Sequence, residues 1–253
     1  MPLEVVLIDL DNTLILYDEL CFFQMYGRLA ADHFSGFFPP EEWQAYLIES
    51  TRSLLRNRGS MTNEQFFLMD LRKRFGDKSG AVEKHLLSFN DGPYEELRQV
   101  VAATTGAVDV VDALNRQGFR LVLASNPILP LSLQLRRLEW SGLRKEFFEL
   151  ITHMGNMSYC KPQIEFYRQI CDRLDVSPST CLMVGNDSVN DMAAGHAGLK
   201  TYLTTDALAV DDSDLRLSRQ MREESTKEGA LPDFEGPLSE VLLAVDFLQQ
   251  AEQ

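Results

Sequence analysis

Two carboxylates two residues apart, Asp9 and Asp11, directly follow the aliphatic run Val5-Val6-Leu7-Ile8, and Thr13 stands two residues further on. Such a pair can divide the work of phosphoryl transfer. If Asp9 attacks a phosphorus atom while Asp11 stands beside the leaving oxygen, the first is a nucleophile and the second a general acid, then a general base. Crowding two acids and a phosphate together raises the proton affinity of the last group to ionise, which suits Asp11 to carry the proton that the leaving group needs. The same letters also suit an Asx-rich turn at the end of a strand.

Three further constellations stand at comparable places. Ser125-Asn126 follows the apolar run Leu121-Val122-Leu123-Ala124, where a hydroxyl and a backbone N–H can bind phosphate oxygens and where an ordinary turn is equally at home. Lys161-Pro162 precedes a segment with Ile164, Tyr167, Ile170, Cys171 and Leu174 on one helical face. A lysine ahead of a helix gains nothing from the helix dipole, which suggests a use for its charge, although a solvated loop lysine fits too. Gly185-Asn186-Asp187-Ser188-Val189-Asn190-Asp191 follows Leu182-Met183-Val184. Asp187 and Asp191, four apart, share a face at a helix start, where they can converge on one hard cation or one lysine, or simply complement the helix dipole.

The elements that must position these residues are legible from periodicity. Residues 3–8 read as a buried strand. From about Tyr17 to Gln99 the chain reads as successive helices. Pro39-Pro40-Glu41-Glu42 gives a helix start, Trp43, Tyr46, Leu47, Leu54 and Leu55 form one stripe, and Thr62 to Gln65 forms a capping box ahead of Phe67, Leu68, Leu71 and Phe75, with Gly76 as the stop. These aromatic stripes read as packing. Beyond residue 100, helices over 107–117, 130–141, 163–174 and 189–197 alternate with strands over 119–125, 150–153, 181–184 and 201–203. That alternation predicts an α/β fold with a doubly wound parallel sheet. The charged, Gly-, Pro- and Ser-containing segment 206–236 reads as a surface excursion before a last helix over 238–248. A helical block inserted after the first strand hangs over the carboxyl ends of the strands, where open α/β sheets bind ligands.

In their order and placement, Asp9/Asp11/Thr13, Ser125, Lys161 and Asp187/Asp191 resemble the four motifs of the haloacid dehalogenase-like superfamily. The resemblance covers residues 1–16 and about 100–205, and residues 17–99 are similar to the family's α-helical cap. It implies a Rossmann-like catalytic core over 1–16 and 100–253 and a phosphatase reaction through an aspartyl-phosphate on Asp9. It further implies Mg²⁺ held by Asp9, the Asp11 backbone carbonyl and Asp187, with Asp191 positioning Lys161 or a metal-bound water. Ser125, Asn126 and Lys161 would bind the phosphate, and Thr13 would set the loop carrying Asp11. The chain departs from the family pattern where Asn186 separates Gly185 from Asp187, so Asn186 stands as an alternative neighbour of the metal. It departs again at Leu14-Ile15-Leu16-Tyr17-Asp18, which lacks the usual short aromatic–acid–small pattern.

Haloalkanoate dehalogenases and phosphonate hydrolases of the family lack an acid at the position of Asp11, which counts against both. A sugar phosphomutase uses the same two acids, and a catalytically silent binding protein also stays open. The formal charge of −14, with 38 acids against 24 bases, argues against nucleic acid as a partner. A phosphorylated small molecule would then need a metal or a buried lysine for its charge. Cys21, Cys160, Cys171 and Cys181 form no paired motif and read as free thiols of a reducing compartment, with cytoplasm as the expectation and no membrane segment. His33, His85, His153 and His196 lack ligand spacing.

Overall fold

The computed structural model describes residues 2–37, 39–207 and 231–250. Six strands form one sheet: β1 (Val5–Ile8), β4 (Arg120–Leu123), β5 (Leu150–Ile151), β6 (Cys181–Gly185), β7 (Lys200–Thr204) and β8 (Phe234–Gly236). Their order is β5-β4-β1-β6-β7-β8, and every neighbouring pair runs parallel. The fold is α/β with a parallel sheet, as the alternation of strands and helices predicts, and Rossmann-like, as the family resemblance implies.

Burial on both faces explains the near-continuous aliphatic runs of the central strands. Val6, Ile8, Leu121, Leu123, Leu182 and Val184 point to one face, against α5 (Ala107–Arg116), α6 (Leu131–Trp140) and α9 (Val241–Gln250). Val5, Leu7, Val122, Cys181 and Met183 point to the other, against α7 (Ile164–Leu174) and α8 (Ala194–Ala197). Each fully buried aliphatic or aromatic side chain contributes about 1.5–3 kcal/mol relative to exposure.

Four helices, α1 (Glu19–Phe34), α2 (Pro40–Leu55), α3 (Asn63–Phe75) and α4 (Ser79–Asp91), lie between two short strands that the periodicity did not signal. These strands, β2 (Ile15–Leu16) and β3 (Ala102–Ala103), pair antiparallel, so the chain leaves and rejoins the sheet region side by side. Inside the helical block Phe34 stacks on Trp43 with centroids 3.7 Å apart, and Trp43, Tyr46 and Leu54 are buried, which gives the aromatic stripe its packing role. The Thr62 capping box is present.

Two expectations change. The helix expected over 189–197 is regular only from Ala194. Asp187 accepts hydrogen bonds from the backbone N–H groups of Val189 and Asn190, at 2.8 and 2.9 Å, and such Asx bonding competes with helical pairing. The excursion expected over 206–236 ends instead in strand β8, beside β7, with Asp233 accepting bonds from the backbone N–H and the hydroxyl of Thr201. The stretch 208–230 of that expectation lies outside the described residues. Among the described residues no helix is long and apolar enough to cross a membrane.

Candidate active site

Strands β1, β4 and β6 are adjacent, and their carboxyl ends bring three of the four constellations together. Asp9 continues β1, its N–H donating to the carbonyl of Val184 at 2.9 Å, while the N–H of Ala124 donates to the carbonyl of Ile8 at 2.8 Å. Asp9, Ser125 and Asn186 therefore emerge side by side. Residues distant in the chain meet because β1 pairs in parallel with both β4 and β6, with Ile8 opposite Leu123 on one side and Val184 on the other.

Lys161 supplies the fourth. Its ammonium reaches Asp9 Oδ1 at 2.7 Å and Asp191 Oδ1 at 2.5 Å, with all three residues buried. Burial by itself would lower the pKa of Lys161, but Asp191 and Asp9 outweigh it and hold the group above the ordinary lysine value. The carboxyl of Asp191 is pushed up by burial, which Lys161 opposes and which Asp9 and Asp187 reinforce. Its second oxygen accepts from the backbone N–H of Asp187 at 2.9 Å.

That geometry decides what Gly185 must be. A Cβ there would stand 2.2 Å from Asp191 Oδ2 and 2.8 Å from Asp191 Cβ, so the approach is open to glycine alone. The Gly185→Ala variant is expected to lose about 1–3 kcal/mol of stability in urea unfolding, the usual cost of overpacking a filled interior.

Thr13 is fully buried, with its hydroxyl donating to Asn186 Oδ1 at 3.4 Å. Asn186 thus faces the loop of Asp9 and Asp11. Asp187 uses its carboxylate on the turn after β6, where Asn190 Nδ2 adds a third donor at 2.9 Å. Ser125 is buried, and its carbonyl accepts from Thr152 Oγ1 at 2.6 Å. Asn126 Oδ1 is buried without a hydrogen-bond partner among the described residues, a polar atom available to a ligand or to water.

Two residues that the motifs did not signal complete the arrangement. Asp11 Oδ1 accepts from the hydroxyl of Tyr17 at 2.7 Å and also from the guanidinium of Arg137, which lies on α6. Burial lowers the pKa of Arg137 to about 10, with Asp9 pulling the other way, so the group stays charged at neutral pH. Burial, with Glu19, Tyr94 and Asp9 adding to it, holds the phenol of Tyr17 well above its ordinary value and keeps it an O–H donor. Asn12 takes a left-handed φ of 54°, a region asparagine tolerates, and its Oδ1 accepts from the N–H of Tyr17 at 3.1 Å.

The helical block reaches the same strand ends. Asn63, at the start of α3 and fully buried, donates from Nδ2 to the carbonyl of Pro127 at 3.1 Å, and its N–H donates to the carbonyl of Met157 at 2.8 Å. Gln163 Nε2 donates to the carbonyl of Leu55 at 2.8 Å. The block is thereby anchored beside Asn126 and Lys161.

Four carboxylates (Asp9, Asp11, Asp187 and Asp191) and two cations (Lys161 and Arg137) converge here, linked by contact or by charge. Among the described residues no three His, Cys, Asp or Glu side chains are grouped so as to hold an ion by themselves. An ion at these strand ends would therefore rely on one or two carboxylates, a backbone carbonyl and water. Hard oxygen donors with partial hydration and an excess of negative charge fit Mg²⁺.

A family model described as haloacid dehalogenase-like hydrolase matches residues 3–198. Pyrophosphatase PpaX of Halalkalibacterium halodurans is 24% identical over 212 residues, covering 84% of this chain and 88% of that protein. Glyceraldehyde 3-phosphate phosphatase of Methanothermobacter thermautotrophicus is 24% identical over 214 residues, covering 84% of this chain and 90% of that protein. Among solved structures, 2-haloacid dehalogenase from Pseudomonas syringae pv. Tomato DC3000 superposes with a TM-score of 0.60 at 19% identity, covering 97% of this chain and 99% of that one.

Proposed function

The chain belongs to the haloacid dehalogenase-like hydrolase family, and from that premise we propose that it is an Mg²⁺-dependent phosphatase of small phosphorylated metabolites, working through an aspartyl-phosphate on Asp9. One observation carries this reading: a buried ammonium holds Asp9 Oδ1 at the end of the central strand, two residues before a second carboxylate. An ion-paired carboxylate remains ionised, as a nucleophile must, and Lys161 on one oxygen leaves the other for attack. Asp11 is the feature that a dehalogenase of the same fold has no use for.

In the first step the free oxygen of Asp9 bonds to phosphorus as the bond to the leaving oxygen breaks, and Asp11 gives that oxygen its proton. In the second, Asp11 takes a proton from water, the water oxygen attacks the phosphorus of the aspartyl-phosphate, and the Asp9 carboxylate is released. Lys161 stays charged throughout and faces the negative charge that builds on the phosphoryl group. Asp191 holds Lys161 in place from its far side. Ser125, the Asn126 N–H and Lys161 bind phosphate oxygens, and Thr13 buttresses the Asp11 loop through Asn186. Mg²⁺, when bound by Asp9, the Asp11 carbonyl and Asp187, supplies the remaining positive charge that lets an anion approach an anion. The helical block over 17–99 acts as the cap over a catalytic core formed by 1–16 and 100–253. The names of the two phosphatase relatives support this substrate class.

An aryl phosphate offered to the purified chain with Mg²⁺ is expected to release inorganic phosphate. Addition of excess chelator is expected to reduce release by at least about 10²-fold, with recovery on restoring Mg²⁺. Release that is indifferent to the chelator would contradict the metal assignment. Transfer of the phosphoryl group between positions on a sugar, with no phosphate released, would mark a mutase.

A further inference from the structure

We propose that Arg137, with Tyr17, positions Asp11 for proton transfer, making Arg137 a positioning residue of the phosphatase reaction; the proposal rests on the reading above. Arg137 is a poor choice for stability alone. Its side chain is 5% exposed, its Nε is buried without a partner, and Asp11 is its one ion-pair partner among the described residues. Replacing such a pair with well-packed apolar side chains is commonly neutral or stabilising, so a role in placing Asp11 explains its presence better than folding does.

The geometry gives that role content. Arg137 and the Tyr17 hydroxyl both donate to the same oxygen, Asp11 Oδ1. With Oδ1 saturated and Arg137 favouring the carboxylate, the proton for the leaving group is taken up on Oδ2 when an anionic phosphate arrives and raises the proton affinity of Asp11. The two donors together fix the rotation of the carboxyl group. The grip comes from two sides. Arg137 lies on α6, where Gln134, one turn earlier, donates from Nε2 to the carbonyls of Asn126 and Thr152, both at 3.4 Å. Tyr17 follows β2 and stacks on Phe22 of α1 with centroids 4.5 Å apart. One side of the grip is therefore tied to the phosphate-binding loop and the other to the helical block. Asp11 is aimed by both, so its alignment with a leaving group depends on the strand ends and the helical block keeping their relative places.

Acid assistance matters most when the leaving group is a poor one, and this separates positioning from a bulk structural role. The test compares kcat and KM of the full chain with Mg²⁺ on p-nitrophenyl phosphate, whose leaving group departs readily, and on simple alkyl phosphates, whose alkoxide does not. Because Asp11 is also the base of the second step, which both esters share, the comparison rests on kcat/KM, which reports the leaving-group step alone. Arg137→Met is expected to lower it by about 10²-fold on alkyl phosphates and by less than about 5-fold on the aryl ester. Arg137→Lys should recover part of the loss, and Tyr17→Phe should shift the ratio in the same direction by less. Equal losses on both esters, or none on either, would overturn the proposal while leaving the phosphatase reading intact. If Arg137→Met does not fold, the ratios for Arg137→Lys and Tyr17→Phe decide it. A wild-type chain that turns over no ester would remove the reading and the proposal together.

Discussion

Replacing Asp9 with asparagine is expected to lower turnover of an aryl phosphate by at least about 10⁴-fold, because the variant keeps the shape of the side chain and loses the attacking anion. The substitution is unusually clean here. The Asp9→Asn amide oxygen can still accept from the Lys161 ammonium, which reaches Asp9 Oδ1 at 2.7 Å in the wild type and keeps Asp191 as its second partner. The fold should therefore survive, with a thermal midpoint close to wild type. The measurement pairs phosphate release with thermal unfolding of the same preparation, and mass spectrometry of wild type quenched in acid during turnover should find a phosphorylated peptide containing Asp9. A folded Asp9→Asn protein retaining more than about one hundredth of wild-type turnover would end the nucleophile assignment. Loss of activity with loss of fold would show that Asp9 serves structure.

The residues placed at strand ends were legible, and those that reach the candidate site from the face of a helix were not. Asp9, Ser125 and the Gly185–Asp191 segment each follow an aliphatic run that can only be a buried strand, and a parallel sheet puts all such ends on one edge. Lys161 was found by its place ahead of α7, yet nothing local says that it lies between Asp9 and Asp191. Arg137 follows Arg136, and the two diverge: Arg136 turns to Glu95 and to the carbonyl of Asn90, Arg137 to Asp11. The signal was present, since Arg137 stands four residues after Leu133 and three before Trp140, both buried, and a charge on an apolar stripe calls for a partner. Tyr17 read as part of an atypical loop because its partner is a carboxylate six residues earlier, on the far side of a turn. Asn63 read as the first residue of a capped helix, but its contacts with Pro127 and Cys160 are 64 and 97 positions away and follow from docking. Strand β8 has only Phe234, Glu235 and Gly236, too short and too lacking in β-branched residues to register as periodic.

Removing the Lys161 ammonium is expected to damage the protein in two separable ways. In Lys161→Met the carboxylates of Asp9 and Asp191 lose their common partner in a buried site, and breaking a buried ion pair from one side typically costs about 3–5 kcal/mol. The sign of the pH dependence follows from Asp191. Burial already raises its folded-state pKa above the unfolded value with Lys161 present, and without the opposing cation the pKa rises further. A carboxyl raised in this way favours the fold only while protonated, and Asp191 is already pushed up to about 7 in the wild type, so the additional deficit of Lys161→Met should be small in acid and open as the pH rises through and above about 7. Urea unfolding at several pH values measures this directly. The double variant Lys161→Met, Asp191→Asn removes one of the stranded charges and should recover part of the stability above neutral pH. Its turnover should stay at least about 10²-fold below wild type, because the cation facing the phosphoryl group is still missing. Recovery of turnover alongside stability would reduce Lys161 to a structural counter-ion, and a deficit that does not vary with pH would mean that buried carboxylate charge is not what the ammonium holds in check.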